Sequence, residues 1–309
     1  MKQPVDVVPP VTEHANCPVA EEHDSPVRPT YLRLSVTDNC NQCCIYCRPA
    51  NCSTRQIPPL SLGDIRSIVN ILARAGIEKV RITGGEPLMR EDLPEIAHVI
   101  ASAPGIRSVG LTTNGVNLAR CAHQLRQVGV TNINISLDSL DSVMTNTVVM
   151  RGINDGEVPV IAALSRDLPI ETRFIELMPL DGSALDWNTF FVPAQEIRDL
   201  LGELVPVPLT GISTAKTYQI PGAKGCVGII APMTEPFCRM CNRIRLTCAG
   251  SLKPCLRLSA TYDMLHIARD PRADDVIAAL LEHSQVMKQR TSSQTEASLP
   301  VISMFSIGG

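Results

Sequence analysis

Aromatic residues make up only 3% of this 309-residue chain, with a single tryptophan. That scarcity speaks against a surface that stacks exposed nucleic-acid bases. Strong charge is missing too: charged residues are 19% of the chain and the net charge is -3, which offers DNA, RNA or an anionic membrane no attraction. No apolar run approaches the length of a membrane span. The N-terminal stretch has neither the apolar core of a secretory signal nor the Arg-rich, acid-poor character of a transit peptide. Residues 1–30 are Pro-rich with little to bury, and are expected to form a disordered arm in which Cys17 is incidental. No His/carboxylate constellation stands out for acid–base catalysis. Hydrophobic residues at 44% fit a soluble protein with one large barrel or two domains.

Cysteine is abundant instead. Twelve of them without a secretion signal argue for metal or redox chemistry over structural disulfides, in a reducing compartment. They gather in two sets. TDNCNQCCIYCRP holds Cys40, Cys43, Cys44 and Cys47, and CRMCNRIRLTCAGSLKPC holds Cys238, Cys241, Cys248 and Cys255. Structural zinc takes four ligands, commonly as two separated pairs. Reading the first set that way makes adjacent Cys43 and Cys44 converge on one small ion. The other parse takes Cys40, Cys44 and Cys47 at C-x3-C-x2-C. Three thiolates suit a [4Fe–4S] cube with one iron left open, since a full protein set is four. An open coordination position is what a functional metal site needs.

From Tyr31 onward, β-branched runs alternate with helical patterns, the signature of parallel βα units. The strands expected are YLRLSV, KVRIT, RSVGLT, NINISL, NTVVM and ETRFIEL. Between the first two, Ile65, Ile68, Val69 and Leu72 recur at helical spacing behind a Ser61/Asp64 cap. GGEP, TTNG, SLDS and MPL fall at strand carboxyl ends, where parallel barrels carry their active sites. The fold class expected is α/β: an incomplete (β/α)6 barrel over 31–205, then a C-terminal α+β region over 206–309 carrying the second cysteine set. One interval is anomalous. Only DSLDSVMT separates NINISL from NTVVM, too short for the crossover of about a dozen residues that parallel strands require. A crossover helix is expected to be missing after Asp141.

The C-x3-C-x2-C spacing with GGEP resembles the signature of the radical S-adenosylmethionine (SAM) superfamily. With C-x2-C-x13-C at Cys238, Cys241 and Cys255, and with LRLSVTDNCNQCCIYCRP, RITGGEPL, GLTTNG, INISLDSL, VVMRGIND, RFIELMP and the terminal Gly-Gly, the chain from Tyr31 to Gly309 resembles the GTP 3′,8-cyclases (MoaA-type) of molybdenum cofactor biosynthesis. The resemblance implies two [4Fe–4S] clusters, each on three cysteines, with SAM on the first and GTP on the second. In that family a 5′-deoxyadenosyl radical takes hydrogen from ribose C3′, and the carbon radical attacks guanine C8 to give (8S)-3′,8-cyclo-7,8-dihydroguanosine 5′-triphosphate. SAM would meet Tyr46, Gly85, Ser136 and Met178. GTP would meet Arg33, Arg81, Thr112, Arg173, Arg243 and Arg245, with Lys79 as an addition. Arg243, Arg245 and a Gly308-Gly309 tail threaded into the pocket would serve catalysis.

The resemblance further implies an electron donor and handover to cyclic pyranopterin monophosphate synthase, with a homodimer among the assemblies open to it. The compartment would be cytoplasm or mitochondrial matrix. Cys43 is left as a spare thiol; Cys52 and Cys121 read as structural. The chain departs from the family in three places. The short interval after Asp141 removes a crossover, Met144 stands where a GTP-contacting lysine is usual, and Ala249 replaces an acid. Another twin-cluster radical SAM enzyme acting on a peptide, or an inactive metal-binding paralogue, are the alternatives.

Overall fold

The computed structural model describes residues 27–47, 58–137, 146–179, 186–208, 212–258 and 260–292. The six expected strands are all present: β1 (Tyr31–Ser35), β2 (Lys79–Thr83), β3 (Ser108–Thr113), β4 (Val130–Ile135), β5 (Asn146–Val149) and β6 (Glu171–Glu176). Helices α1 (Leu62–Arg74), α2 (Leu93–Ala101), α3 (Leu118–Gln127) and α4 (Val158–Asp167) fall between them. Ser61 caps α1 as a capping box with Asp64, each side chain satisfying the other's backbone N–H. Ile65, Ile68, Val69 and Leu72 form its buried stripe. Each such side chain contributes about 1.5–3 kcal/mol by leaving water.

Further along lie α5 (Trp187–Phe190), α6 (Ala194–Leu201), β7 (Val205–Pro206), β8 (Lys216–Gln219) and β9 (Cys226–Ile230). β10 (Arg243–Leu246), β11 (Ser251–Lys253), β12 (Tyr262–Asp263), α7 (Met264–Ile267) and α8 (Ala273–Ser292) complete the described chain. β8 pairs antiparallel with β9, as a partly antiparallel C-terminal region leads one to expect. β9 itself runs parallel to β6, and β10 runs parallel to β1. Segments remote in sequence therefore extend the parallel sheets at both outer edges.

The strands make two sheets, β12-β11-β10-β1-β2-β3-β4 and β5-β6-β9-β8-β7. They meet at a parallel bridge between Ser136 and Asn146, with Leu137 N–H donating to the Asn146 carbonyl at 3.1 Å. Residues 138–145, the short interval of the sequence, lie outside the described residues, as does Met144. Ile133 on β4 is 37% exposed, whereas Thr147 and Val149 on β5 are fully covered. A missing helix would uncover both strands; only β4 shows it.

Alternate residues of each strand face opposite sides, and here the two sides differ in kind. Leu32, Leu34, Val80, Ile82, Val109, Leu111, Ile244 and Leu246 pack with α1, α2 and α8 into one core. Val149, Phe174, Val227 and Ile229 pack with α4 and α6 into a second. In the first sheet the intervening residues of β1, β2 and β10 are polar, Arg33, Arg81, Arg243 and Arg245 among them; in the second, Arg173 shares its face with Val148, Ile175 and Ile230. Among the described residues no helix is long and apolar enough to cross a membrane.

Candidate active site

The first cysteine set is held by the turns that follow β2 and β3. Gly85 N–H donates to the Thr37 carbonyl at 2.7 Å and Glu86 N–H to that of Asn39 at 2.7 Å. A side chain on Gly85 would place its Cβ 2.2 Å from the Asn39 carbonyl oxygen, so the GGEP glycines are required by the cysteine loop's own backbone. Glu86 is buried, and its carboxylate accepts from Leu88 N–H, Asn114 N–H and the Thr113 hydroxyl at 2.9, 2.7 and 2.7 Å. The Asn114 amide donates to Asn41 at 2.7 Å. Three sequence motifs thus form one hydrogen-bonded unit. Within it Cys40, Tyr46, Cys44 and Cys47 are half-buried and Cys43 is exposed. Gln42 N–H points at the Cys40 sulfur, 3.4 Å away.

Between the two cysteine sets the polar side of the sheets is a wall of guanidiniums. Arg33 is level with Arg81 on one neighbouring strand and with Arg245 on the other. Arg81 spans three strands, donating to the Tyr31 hydroxyl at 2.6 Å, the Leu111 carbonyl at 3.1 Å and Asn132 at 2.6 Å. Arg243 lies over the Tyr31 ring, 5.4 Å from its centroid, and donates to Thr214 at 2.8 Å. Arg173 pairs with Glu171 at 2.5 Å.

Burial pushes the Arg33 guanidinium well below its ordinary value, and Arg245 and Arg243 push it further. Burial likewise brings Arg245 down to about 10, with Arg243 adding to the fall. Since arginine does not give up its proton in proteins, these falls reflect the cost of burial first and of mutual repulsion second, both of which an incoming anion would offset. Tyr31 shows the same field from the other sign. Burial pushes its phenol up, but Arg81, Arg33 and Arg243 outweigh burial and leave it lowered.

The remaining expected contacts are distributed around this wall. The Thr112 hydroxyl is buried with no hydrogen-bond partner among the described residues. Ser136 sits at the junction of the sheets, its N–H donating to the Thr113 carbonyl at 2.8 Å. Met178 follows β6 and is half-buried, while Lys79 is exposed at the entrance of β2. Gly308 and Gly309 lie outside the described residues, as do Cys17 and Cys52.

In the second set, Cys238, Cys241 and Cys255 are half-buried thiols. Burial pushes the Cys238 thiol up, and Cys255 and Cys241 add their own repulsion, so the three lie within electrostatic reach of one another. Arg257 N–H points at the Cys255 sulfur at 3.5 Å. Among the described residues no three His, Cys, Asp or Glu side chains converge tightly enough for a single metal ion.

Four residues of this region escaped the sequence reading. Tyr31 and Asn132 bear on Arg81 from neighbouring strands, and nothing local in sequence announces that. Glu86 was in plain view inside GGEP, where an acid at a strand's buried end called for partners. Lys288, fully buried on α8, falls on the helix face of Ile277, Leu280, Leu281 and Ser284; a lysine on an apolar stripe was the available signal.

Parallel strands alternating with helices, with a cysteine-rich loop after β1 held by the GGEP turn, suit a radical SAM enzyme, and family comparison shows that class. Residues 34–157 match the Radical SAM superfamily and residues 170–294 match Molybdenum Cofactor Synthesis C. A GTP 3′,8-cyclase of Pelotomaculum thermopropionicum is 37% identical, covering 90% of this chain and 97% of that protein. The chain belongs to the GTP 3′,8-cyclase family. Human molybdenum cofactor biosynthesis protein 1 is 38% identical over 74% of this chain and 41% of that protein. The Pelotomaculum alignment runs over 317 positions, more than the 309 residues of this chain; the relative carries stretches that this chain lacks. Streptococcus suis SuiB bound to its precursor peptide SuiA shares the fold, with a TM-score of 0.54 at 14% identity, covering 82% of this chain and 67% of that one.

Proposed function

We propose that this chain performs the GTP 3′,8-cyclase reaction of molybdenum cofactor biosynthesis on the polar side of its two sheets. The single observation that carries the reading is the guanidinium wall between two cysteine triads: Arg33, Arg81, Arg173, Arg243 and Arg245, with Glu171 as the paired acid. Five guanidiniums gathered on one side suit a polyphosphate, whose oxygens planar guanidinium forks bind bidentately. A peptide substrate brings no such charge, and the likeness to SuiB concerns the fold alone.

In this reading β1 to β6 wall an open barrel within 31–205, and 206–309, whose β8 to β12 extend the same two sheets, is the cluster-bearing region. Cys40, Cys44 and Cys47 would hold one [4Fe–4S] cluster and Cys238, Cys241 and Cys255 the other. Bound there, the clusters would supply one-electron chemistry on SAM and a Lewis-acidic site for the substrate base, and the protein's own part is to position both ligands. Tyr46, Gly85, Ser136 and Met178 orient SAM. Arg33, Arg81 and Arg173 take the phosphates, Thr112 offers its unsatisfied hydroxyl, and Arg243 and Arg245 stabilise charge next to the second triad. The Gly308-Gly309 tail, an outside electron donor, transfer to cyclic pyranopterin monophosphate synthase, and location in cytoplasm or mitochondrial matrix complete the proposal.

One observation favours a second reading, in which the family's reaction is impaired in this chain. Ser136 and Asn146 stand side by side in parallel, joined by fewer residues than a parallel crossover needs, and Ile133 is left uncovered. Anaerobic reconstitution followed by dithionite, SAM and each nucleoside triphosphate separates the readings. Formation of 5′-deoxyadenosine and a pterin precursor from GTP alone supports the first. GTP binding without turnover, restored by grafting a relative's crossover after Asp141, supports the second. No response to GTP in either protein overturns both.

A further inference from the structure

Lys288 stands near the second cysteine triad although it comes from the far end of the described chain. It is 1% exposed, and its ammonium donates to the carbonyls of Cys241 at 3.2 Å and Arg243 at 2.6 Å. Those carbonyls belong to a proposed cluster ligand and to the first residue of the guanidinium strand β10. Among the described residues no carboxylate forms an ion pair with it. A buried ammonium with no counter-charge is among the costliest groups a fold can hold. Packing does not ask for it either, because its neighbours on the same helix face, Ile277, Leu280 and Leu281, belong to the apolar core. Its hydrogen bond to the Cys241 carbonyl sets the ammonium beside the turn Cys238–Met240 and its cap Cys241, which carry two of the three thiols.

We infer that Lys288 supplies the fixed positive charge that balances an iron–sulfur cluster on Cys238, Cys241 and Cys255, and thereby raises that cluster's reduction potential. The inference rests on the reading that this triad holds a cluster. A cube of net +2 on three thiolates carries one negative charge, and reduction adds a second. The ammonium stabilises the reduced form more than the oxidised one. Its two backbone hydrogen bonds also fix the turn that presents Cys238 and Cys241, so Lys288 is a positioning residue and not one that touches substrate.

The test is an EPR-monitored dithionite titration of the reconstituted holoenzyme and of Lys288→Gln and Lys288→Arg. A Cys44→Ser background, which removes the N-terminal cluster, assigns the signals. Lys288→Gln keeps a hydrogen-bond donor and loses the charge. It is expected to shift the C-terminal cluster tenfold towards its oxidised form, about 59 mV for a one-electron couple. The N-terminal cluster should not move, and Lys288→Arg should stay within threefold of the wild type. An unmoved midpoint in Lys288→Gln overturns the inference, as does an equal shift in Lys288→Arg.

If Lys288→Gln fails to keep its cluster, melting decides. Iron-free Lys288→Met should melt above iron-free wild type, because it no longer buries an unbalanced ammonium. That advantage should vanish in the Lys288→Arg variant, and its absence in Lys288→Met overturns the inference. Wild-type protein whose iron content is unchanged by Cys255→Ser sinks the underlying reading, a result distinct from a loaded cluster with an unmoved midpoint.

Discussion

Arg81 on β2 and Asn132 on β4 are joined by a 2.6 Å hydrogen bond that passes over the strand between them. Gly110, level with both, makes the passage open. A Cβ there would stand 2.4 Å from the Asn132 oxygen and 3.0 Å from the centre of the Arg81 guanidinium. The glycine therefore serves a neighbour's side chain and not its own backbone.

Gly110→Ala should accordingly displace Arg81 while leaving the outward apolar core in place. The expected cost to stability is about 1–3 kcal/mol, the range for overpacking. GTP affinity should fall more steeply than SAM affinity. Calorimetric titration with each ligand, alongside thermal melting, checks the split; equal losses of both would place the damage elsewhere.

The four cysteines after β1 should not be equivalent. Cys43 is exposed while Cys40, Cys44 and Cys47 are half-buried. Cys43→Ser is expected to retain iron and 5′-deoxyadenosine formation. Cys44→Ser should abolish that product, since two thiolates cannot hold the cube. Iron, labile sulfide and 5′-deoxyadenosine measured on both variants decide the matter.

Glu86 joins the cysteine loop's supporting turn to the end of β3 through three accepted hydrogen bonds. Glu86→Ala leaves buried donors without partners, at a cost of about 3 kcal/mol or more. Urea unfolding of the iron-free protein should show the loss, and the N-terminal cluster should be shed first on dilution into chelator. Unchanged iron retention would mean that the loop is held from elsewhere.

Tyr31 is expected to ionise below the ordinary tyrosine range, because Arg81, Arg33 and Arg243 overcome the upward push of burial. The sign for stability follows. Between the folded value and about 10, where an unfolded tyrosine ionises, the unfolded state holds the extra proton, so this group stabilises the fold increasingly as pH rises. The contribution is lost as pH falls through the folded value. Ultraviolet titration at 295 nm of iron-free protein, compared with Tyr31→Phe, isolates the phenol. Arg81→Gln should move it upward.

Much of this was legible from the residues alone. The Ser61 cap, the apolar stripe of α1 and all six parallel strands are local patterns, and local patterns survive whatever else the chain does. The cysteine spacings were equally readable, since ligand sets are written in short intervals. RIRL was read only as a pair of arginines; its place as strand β10 against β1 depends on a partner more than two hundred residues away. The long helix α8 went unread, and Lys288 with it. A missing crossover helix would bare both strands beside the short interval; Ile133 on β4 is exposed, whereas the outward residues of β5 are covered by the core beneath α4 and α6.

Residue order by itself determined which stretches become strands and where α1 is capped, because each depends on neighbours a few positions apart. Only the folded chain decided that five arginines from β1, β2, β6 and β10 share one side, that a glycine clears the way for one of them, and that a lysine from the last helix arrives beneath a cysteine triad. Those outcomes depend on strand register and on charges brought together over long separations, and no short window of sequence contains them.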